Sequence, residues 1–215
     1  LERARARGAD ILAEVLGFGT SNDAFHSSAP DPSGQGQALA VLRALENAGV
    51  AREDVAYINA HGTGTLANDK AETKVIRRVF GAAADGLPVS SQKAVFGHTL
   101  GAAGAIELAA ALLCREAGTL PPTANFTARR EGCDLDYVAE PGRPFPQNRP
   151  WVKENFAFGG HNAALALGPA PLSRPPAGGR PPRACLVAMG LVTPDGAGRA
   201  AFCRLLAGAG PNLRD

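Results

Sequence analysis

The most informative stretch of this 215-residue sequence is YINAHGTGT at residues 57–65, in which an apolar run ends in His61. The run from Val55 to Ile58 is rich in β-prone side chains, and small residues follow the histidine. This pattern predicts a strand with one imidazole at its end, where a glycine-rich loop lets a ligand approach the backbone closely. A single histidine in such a place is more often structural than catalytic, so its interpretation depends on the other motifs.

Two further stretches carry related patterns. SSQKAVFGH at residues 90–98 has a short strand, polar residues and then a glycine followed by His98. NFAFGGHN at residues 155–162 is a glycine-rich turn between two apolar runs. Each glycine-containing piece alone is a weak signal, whereas three of them in a fixed order form a specific one.

The rest of the chain alternates predicted strands with predicted helices. Apolar runs bounded by turn residues predict further strands at 9–19, 88–91, 151–156 and 163–167. Periodicity, composition and capping residues predict helices at 37–48, from about 69 to 80, and at 101–117. This alternation favours an α/β fold with a mostly buried central sheet.

The three motifs resemble the C-terminal half of the β-ketoacyl-acyl-carrier-protein synthases, the condensing enzymes of fatty-acid and type II polyketide synthesis. The resemblance runs from residue 1 to about 168 and includes EGCDLDYV at 131–138 and PPT at 121–123. It implies the C-terminal half of a thiolase-like α/β fold, with a mixed five-stranded sheet and helices on both faces.

Composition argues against several other classes. The formal net charge is +2 and no basic patch with interleaved aromatic residues is present, so nucleic-acid binding has no support. The apolar run at 102–114 is too short to span a bilayer, so no membrane association is expected. The cysteines lack CxxC spacing, which argues against a zinc site or metal-binding module and makes a reducing cytoplasm the default location. They are Cys114, Cys133, Cys185 and Cys203.

Three parts are expected along the chain. Residues 1–168 form the C-terminal ketosynthase half-domain, and the proline-rich segment 169–182 is an interdomain linker. Residues 183–215 are expected to begin a second ketosynthase-like or chain-length-factor-like domain, because LVAMGLVTPDG at 186–196 resembles the opening of a condensing enzyme. The alternative is an extra hairpin or helix docked on the first domain.

The resemblance implies catalytic roles for His61, His98 and Lys93. Decarboxylation of a malonyl thioester builds negative charge on the thioester oxygen, and neutral imidazoles that donate N–H bonds toward it stabilise the enolate. Lys93 lies five residues before His98, and by resemblance it pairs with Glu107 on the following helix. The alternative is an unpaired surface lysine and an unrelated helix glutamate.

The resemblance also implies supporting roles around the entrance to the site. Three hydroxyls would hydrogen-bond the phosphopantetheine arm, or else satisfy only their own loop backbone; they belong to Thr63, Thr65 and Ser28. Phe158 matches the mobile aromatic that gates the acyl pocket, and Gly159 and Gly160 permit the backbone swing of such a gate.

The function implied is decarboxylative Claisen condensation of malonyl-carrier protein with an enzyme-bound acyl group, in fatty-acid or polyketide synthesis. No metal and no free cofactor are expected, because 4′-phosphopantetheine arrives on the acyl carrier protein. The family nucleophile is a cysteine on a sharp turn in the N-terminal half, which these residues lack, so the chain alone is expected to be inactive.

The expected partners are the acyl carrier protein, the N-terminal half of the same domain, and a second subunit in a homo- or heterodimer. The alternative function is a non-catalytic subunit of the chain-length-factor type. The presence of both His61 and His98 argues against that alternative, since a subunit without a catalytic role need not keep either residue.

Overall fold

The computed structural model of the chain describes residues 1–169, 184–186, 192–193, 196–197, 200 and 203. The described strands are β1 (Ala13–Asn22), β2 (Ile58–Asn59), β3 (Pro88–Ser90), β4 (Thr119–Leu120), β5 (Asp136–Tyr137), β6 (Arg143–Pro144), β7 (Trp151–Ala157), β8 (His161–Gly168), β9 (Ala184–Leu186), β10 (Val192–Thr193) and β11 (Gly196–Ala197). The α-helices are α1 (Glu2–Ala6), α2 (Gln35–Ala48), α3 (Leu66–Phe80), α4 (Lys93–Phe96) and α5 (Ala103–Glu116).

A seven-stranded mixed sheet forms the centre, in the order β5-β3-β2-β7-β8-β1-β9. Strand β2 runs parallel to both β3 and β7, whereas β8 is antiparallel to β7 and β1. The five middle strands are the mixed sheet that the sequence predicts. The short strands β5 and β9 extend it at its two edges.

Helices cover both faces of this sheet because residues alternate between the faces along each strand. Ile58 and Val152 contribute to a core that includes apolar residues of α2 and α3. Their neighbours Tyr57 and Trp151 contribute to the core on the other face, with Leu112 of α5. The predicted three-layer α/β arrangement is therefore confirmed.

The close contact of α2 with β1 depends on glycine. A Cβ atom on Gly19 would lie 2.1 Å from the Ala40 carbonyl oxygen, and one on Gly17 would lie 2.4 Å from the Ala48 nitrogen. No side chain fits at these distances, so the helix backbone packs directly on the strand. Helix α2 then ends at Gly49, whose φ of 62° is the left-handed conformation that favours glycine at a helix end.

The parallel strands bring the predicted motifs to one edge of the sheet. Because β2, β3 and β7 run in the same direction, their carboxyl ends meet there. His61 follows β2, Lys93 follows β3, and the turn at Phe158 follows β7. This topology, rather than proximity in the sequence, assembles the candidate site.

The predicted linker and second domain fall mostly outside the described residues. Within 183–215, β9 pairs antiparallel with β1 of the central sheet, and β10 pairs with β11. The linker at 169–182 is described only at Pro169, so a second domain beginning at residue 183 stays a prediction. In the described part of the chain, no helix is both long and apolar enough to cross a membrane.

Candidate active site

His61 is buried at the end of β2, with 5% of its surface exposed. Its backbone N–H donates to Oε1 of Glu72 at 2.7 Å, and the N–H of Gly62 donates to Oε2 of the same carboxylate at 2.8 Å. The Asn68 amide donates to Glu72 Oε2 at 3.1 Å. Glu72 is itself buried, so a carboxylate from α3 fixes the backbone that carries the imidazole.

A buried group of charges lies behind His61. The Lys93 ammonium contacts Glu107 Oε1 at 2.5 Å and also donates to the His61 carbonyl oxygen. The Lys153 ammonium contacts the other oxygen of the same carboxylate, Oε2, at 2.6 Å. The predicted pairing of Lys93 with Glu107 is therefore confirmed, and a second lysine, which the sequence analysis missed, shares Glu107 with it.

Hydrogen bonding fixes the tautomer of His61. Its Nδ1 lies 3.4 Å from the Lys93 ammonium and 3.5 Å from the amide nitrogen of Asn155. That amide also donates to Glu107 Oε2 at 3.2 Å, which sets its orientation. Since both neighbours of Nδ1 are donors, Nδ1 accepts and the proton resides on Nε2.

His61 is also held in its neutral form. Burial, followed by the positive charges of Lys93 and Lys153, lowers the pKa of His61 from 6.5 to about 2. The neutral ring therefore persists across the physiological pH range. It can donate an N–H bond from Nε2 to a developing negative charge without carrying a positive charge itself.

His98 completes the pair of histidines. Its ring centroid lies 5.4 Å from that of His61, with the two rings nearly perpendicular at 81°. The backbone N–H of Leu100 donates to His98 Nδ1 at 3.2 Å, so Nε2 carries the proton when the ring is neutral. Unlike His61, His98 is exposed, and it lines a cavity of about 500 Å³. The structure thus brings the two predicted histidines together, with His98 in the cavity lining; His61 is not a lining residue, but its neighbours Ala60 and Gly62 are.

The three predicted phosphopantetheine contacts are placed differently from one another. Thr63 lines the cavity, and its hydroxyl is 2.9 Å from the hydroxyl of Thr65, which is exposed outside the lining. Ser28 is exposed and does not line the cavity, and its backbone N–H donates to His26 Nδ1 at 3.1 Å. The structure therefore brings Thr63 to the cavity but does not bring Ser28 there.

The predicted gate is an exposed turn between β7 and β8. The Phe158 side chain is 70% exposed. Gly159 and Gly160 have φ of 78° and 73°, a backbone conformation that favours glycine. The Gly159 N–H donates to the Ser27 carbonyl at 2.7 Å, and the Gly160 carbonyl accepts from the Asp23 N–H at 2.9 Å.

Four site residues were missed or misread from the sequence. Glu72 was given no role in the site, but it binds the backbone of the His61 loop. The other three are consecutive in β7 and are Lys153, Glu154 and Asn155. A run of three polar residues within an apolar strand was the available signal, because buried polar groups in a strand need specific partners.

Glu154 forms a buried carboxyl pair with Glu72. Burial, followed by the negative charge of Glu72, raises the pKa of Glu154 well above its usual range, and neither carboxyl oxygen of Glu154 has a hydrogen-bond partner within the part of the chain that the structure describes. Glu72 accepts three N–H bonds, whereas Glu154 accepts none from the described residues. The raised pKa therefore favours the protonated form of Glu154 in the folded protein.

Replacing Glu154 with glutamine is expected to stabilise the protein at pH 8 and to have a smaller effect at pH 5. The folded state keeps a proton on Glu154 that the unfolded chain releases above about pH 4.3. Stability is consequently lost as the pH rises above that value. Glutamine is neutral in both states and removes this loss. Urea denaturation at the two pH values measures the effect.

The matched control for this prediction is Glu72→Gln. It removes an ionised acceptor from three N–H donors and should destabilise the protein at both pH values by about 2 kcal/mol or more. A Glu154→Gln protein that is less stable than the parent at pH 8 would contradict the raised pKa of Glu154 in the folded protein.

Comparison with known proteins gives a consistent set of relatives. Residues 12–127 match the family "Beta-ketoacyl synthase, C-terminal domain". The chain is 45% identical over 167 residues to the 3-oxoacyl-[acyl-carrier-protein] synthase 2 of Coxiella burnetii, a match that covers 78% of this chain and 40% of that protein. It is 47% identical to nodulation protein E of Rhizobium meliloti, over 77% of this chain and 41% of that protein.

Solved structures give the same result. The ishigamide ketosynthase/chain length factor is 42% identical, with a TM-score of 0.73 over 79% of this chain and 41% of that chain. The type II polyketide synthase complex AntDE:AntF, a ketosynthase with its acyl-carrier protein, has a TM-score of 0.75 and 35% identity over 79% of this chain and 41% of that chain. The chain thus spans about two fifths of the length of these relatives.

Proposed function

The chain belongs to the β-ketoacyl synthases, as part of their C-terminal domain, and from this we propose that it supplies the decarboxylating half of a condensing active site. The observation that carries the proposal is the pair of imidazoles with Nε2–H, His61 and His98, beside a cavity. The substrate is a malonyl group held as a thioester on the phosphopantetheine of an acyl carrier protein, and no further cofactor is needed.

The chemistry follows from the charge that develops during decarboxylation. The bond from the malonyl C2 to its carboxylate breaks, carbon dioxide leaves, and the electron pair delocalises onto the thioester oxygen. Two donors that each lie 2.7–3.1 Å from one oxygen are at most about 6 Å apart. Rings whose centroids are 5.4 Å apart are close enough for one nitrogen of each to reach the same oxygen atom. The resulting carbanion then attacks the carbonyl carbon of an acyl thioester held on a cysteine; a carbon–carbon bond forms, the carbon–sulfur bond breaks, and the cysteine thiolate leaves.

The acyl group is held by a cysteine outside the described site. Burial raises the pKa of Cys114 to about 11, which is unsuited to a thiolate nucleophile. Cys133 is buried in the cavity wall, and no helix begins beside it. By resemblance to the family we place the nucleophile in an N-terminal half of the same protein, and the free thiols of Cys114, Cys133 and Cys203 fit a reducing cytoplasm.

The proposed partners are an acyl carrier protein and a second subunit in a homo- or heterodimer. Among the relatives, AntDE:AntF is a ketosynthase in complex with an acyl-carrier protein, and ApeO is a ketosynthase in complex with the chain length factor ApeC. The alternative of a non-catalytic chain-length-factor subunit is less well supported, because the contacts that hold His61 neutral would have no purpose there.

The proposal is tested with the intact protein and malonyl-carrier protein. Release of carbon dioxide is expected, and a 3-oxoacyl product is expected once an acyl donor is supplied. Residues 1–215 alone should give no 3-oxoacyl product above a heat-killed control. An intact protein that leaves malonyl-carrier protein unchanged would contradict the proposed function, and condensation by residues 1–215 alone would contradict the placement of the nucleophile.

A further inference from the structure

We propose that Lys153 is a positioning residue for His61, which it orients through the Glu107 carboxylate that it shares with Lys93. The inference rests on the proposed function, because it adds a residue to the same site. Lys153 lies in the middle of β7, with only 2% of its surface exposed. A buried ammonium is costly unless it is fully paired, so its partners indicate what it does.

All three N–H groups of the Lys153 ammonium have acceptors. They are Glu107 Oε2 at 2.6 Å, the Glu154 carbonyl at 2.7 Å and the Ala60 carbonyl at 3.4 Å. Ala60 directly precedes His61, and Glu107 belongs to α5. Lys153 therefore links β7, α5 and the end of β2, next to the residue that carries the imidazole.

The effect on His61 passes through the orientation of Glu107. Lys153 and Asn155 hold Oε2 of this carboxylate, and so Oε1 faces Lys93. Lys93 and Asn155 are in turn the two donors beside Nδ1 of His61. Without Lys153 the carboxylate keeps only Lys93 and Asn155 as partners among the described residues, and a change in its orientation shifts both donors relative to Nδ1.

Lys153 also balances the buried charge around His61. Its ammonium and that of Lys93 both contact the Glu107 carboxylate, and the raised pKa of Glu154 favours the neutral form of that carboxyl group. His98 also faces the ring. Loss of Lys153 removes a positive charge that disfavours protonation of the His61 ring, so a proton on Nδ1 becomes more favourable. A His61 ring with a proton on Nδ1 no longer has the single Nε2–H form that the site presents to the substrate.

The test is Lys153→Met in the intact protein, with Val152→Ala as the matched control. Val152 is the neighbouring buried residue of β7 and packs in the core on the other face. Malonyl decarboxylation should slow roughly 10- to 100-fold with Lys153→Met, because a misplaced catalytic group loses that much. KM for malonyl-carrier protein should change less than about 3-fold. Val152→Ala should lower the melting temperature and keep the parental rate.

Nitrogen NMR of ¹⁵N-histidine-labelled protein reads the tautomer directly. In the parent, His61 should show a protonated Nε2 and an unprotonated Nδ1, and in Lys153→Met a fraction protonated on Nδ1 should appear. If Lys153→Met does not fold, Lys153→Gln keeps an N–H donor without the charge and is read in the same way. A variant with a lower melting temperature but the parental rate and histidine spectrum would overturn the proposal.

The test of Lys153 can succeed or fail independently of the test of the proposed function. His61→Ala with undiminished decarboxylation would remove the histidine from the chemistry, yet the NMR spectrum of Lys153→Met would still decide whether Lys153 sets its tautomer. Conversely, a strong effect of His61→Ala with none of Lys153→Met would leave the proposed function intact and refute the role of Lys153.

Discussion

Replacing His61 with alanine should slow malonyl decarboxylation by the intact protein about 10²–10³-fold, and acyl transfer to the nucleophilic cysteine should remain measurable. The structure holds this ring neutral and directs its only proton to Nε2, so alanine removes a preorganised donor that needs no rearrangement during the reaction. Carbon dioxide release from labelled malonyl-carrier protein and mass spectrometry of the acyl-enzyme measure the two steps separately.

Two further histidine variants provide a comparison and a control for His61→Ala. His98→Ala should give a loss of similar size, because the second imidazole donates to the same oxygen in the proposed mechanism. His161→Ala is the matched control: this histidine is exposed at the start of β8, and its Nδ1 is 3.3 Å from the Asn22 amide nitrogen. It should keep the parental rate. Decarboxylation by His61→Ala at the parental rate would exclude His61 from the mechanism.

Replacing Glu107 with glutamine should lower the free energy of unfolding by about 3–5 kcal/mol. This carboxylate compensates two buried ammonium groups, and glutamine leaves both without their counter-charge while keeping the shape of the side chain. The penalty comes from charge that is left unpaired within the protein. Urea denaturation of the parent and the variant at neutral pH measures the difference.

Glu116→Gln provides the same chemical change on the same helix. Glu116 is the last residue of α5 and is exposed, and interactions of exposed charges contribute at most about 1 kcal/mol, so its replacement should alter stability by no more than about 1 kcal/mol. If Glu107→Gln were as stable as Glu116→Gln, the buried charge cluster would not contribute as the structure indicates.

Much of the fold could be predicted because the sequence pattern reports burial along each element. The apolar run before His61 correctly predicted a strand. The run of small residues that leads to Cys114 correctly predicted a helix. The pairing of Lys93 with Glu107 followed from family resemblance alone. Element ends were less accurate: β1 runs from Ala13 to Asn22, since its pairing with β8, rather than local composition, determines where it stops.

The missing parts of the site have a common physical origin. Lys153 and Glu154 are charged residues in a strand whose neighbours are apolar, and only the tertiary structure shows that their partners come from α3 and α5. The position of Ser28, outside the cavity lining, could not be predicted for a related reason. The path of a long loop depends on contacts with distant residues, which periodicity does not report.

The turn at Phe158 is fastened to the loop at 22–27 by three hydrogen bonds. In addition to the two backbone bonds with Ser27 and Asp23, the Asn22 amide donates to the Gly159 carbonyl at 3.0 Å. If each bond contributes about 1 kcal/mol net, a detached turn is populated by roughly one molecule in 150. The turn and this loop are therefore held together when no ligand is bound. A ligand that separates them must bind the detached form more tightly than the attached form by about the free energy of these three bonds.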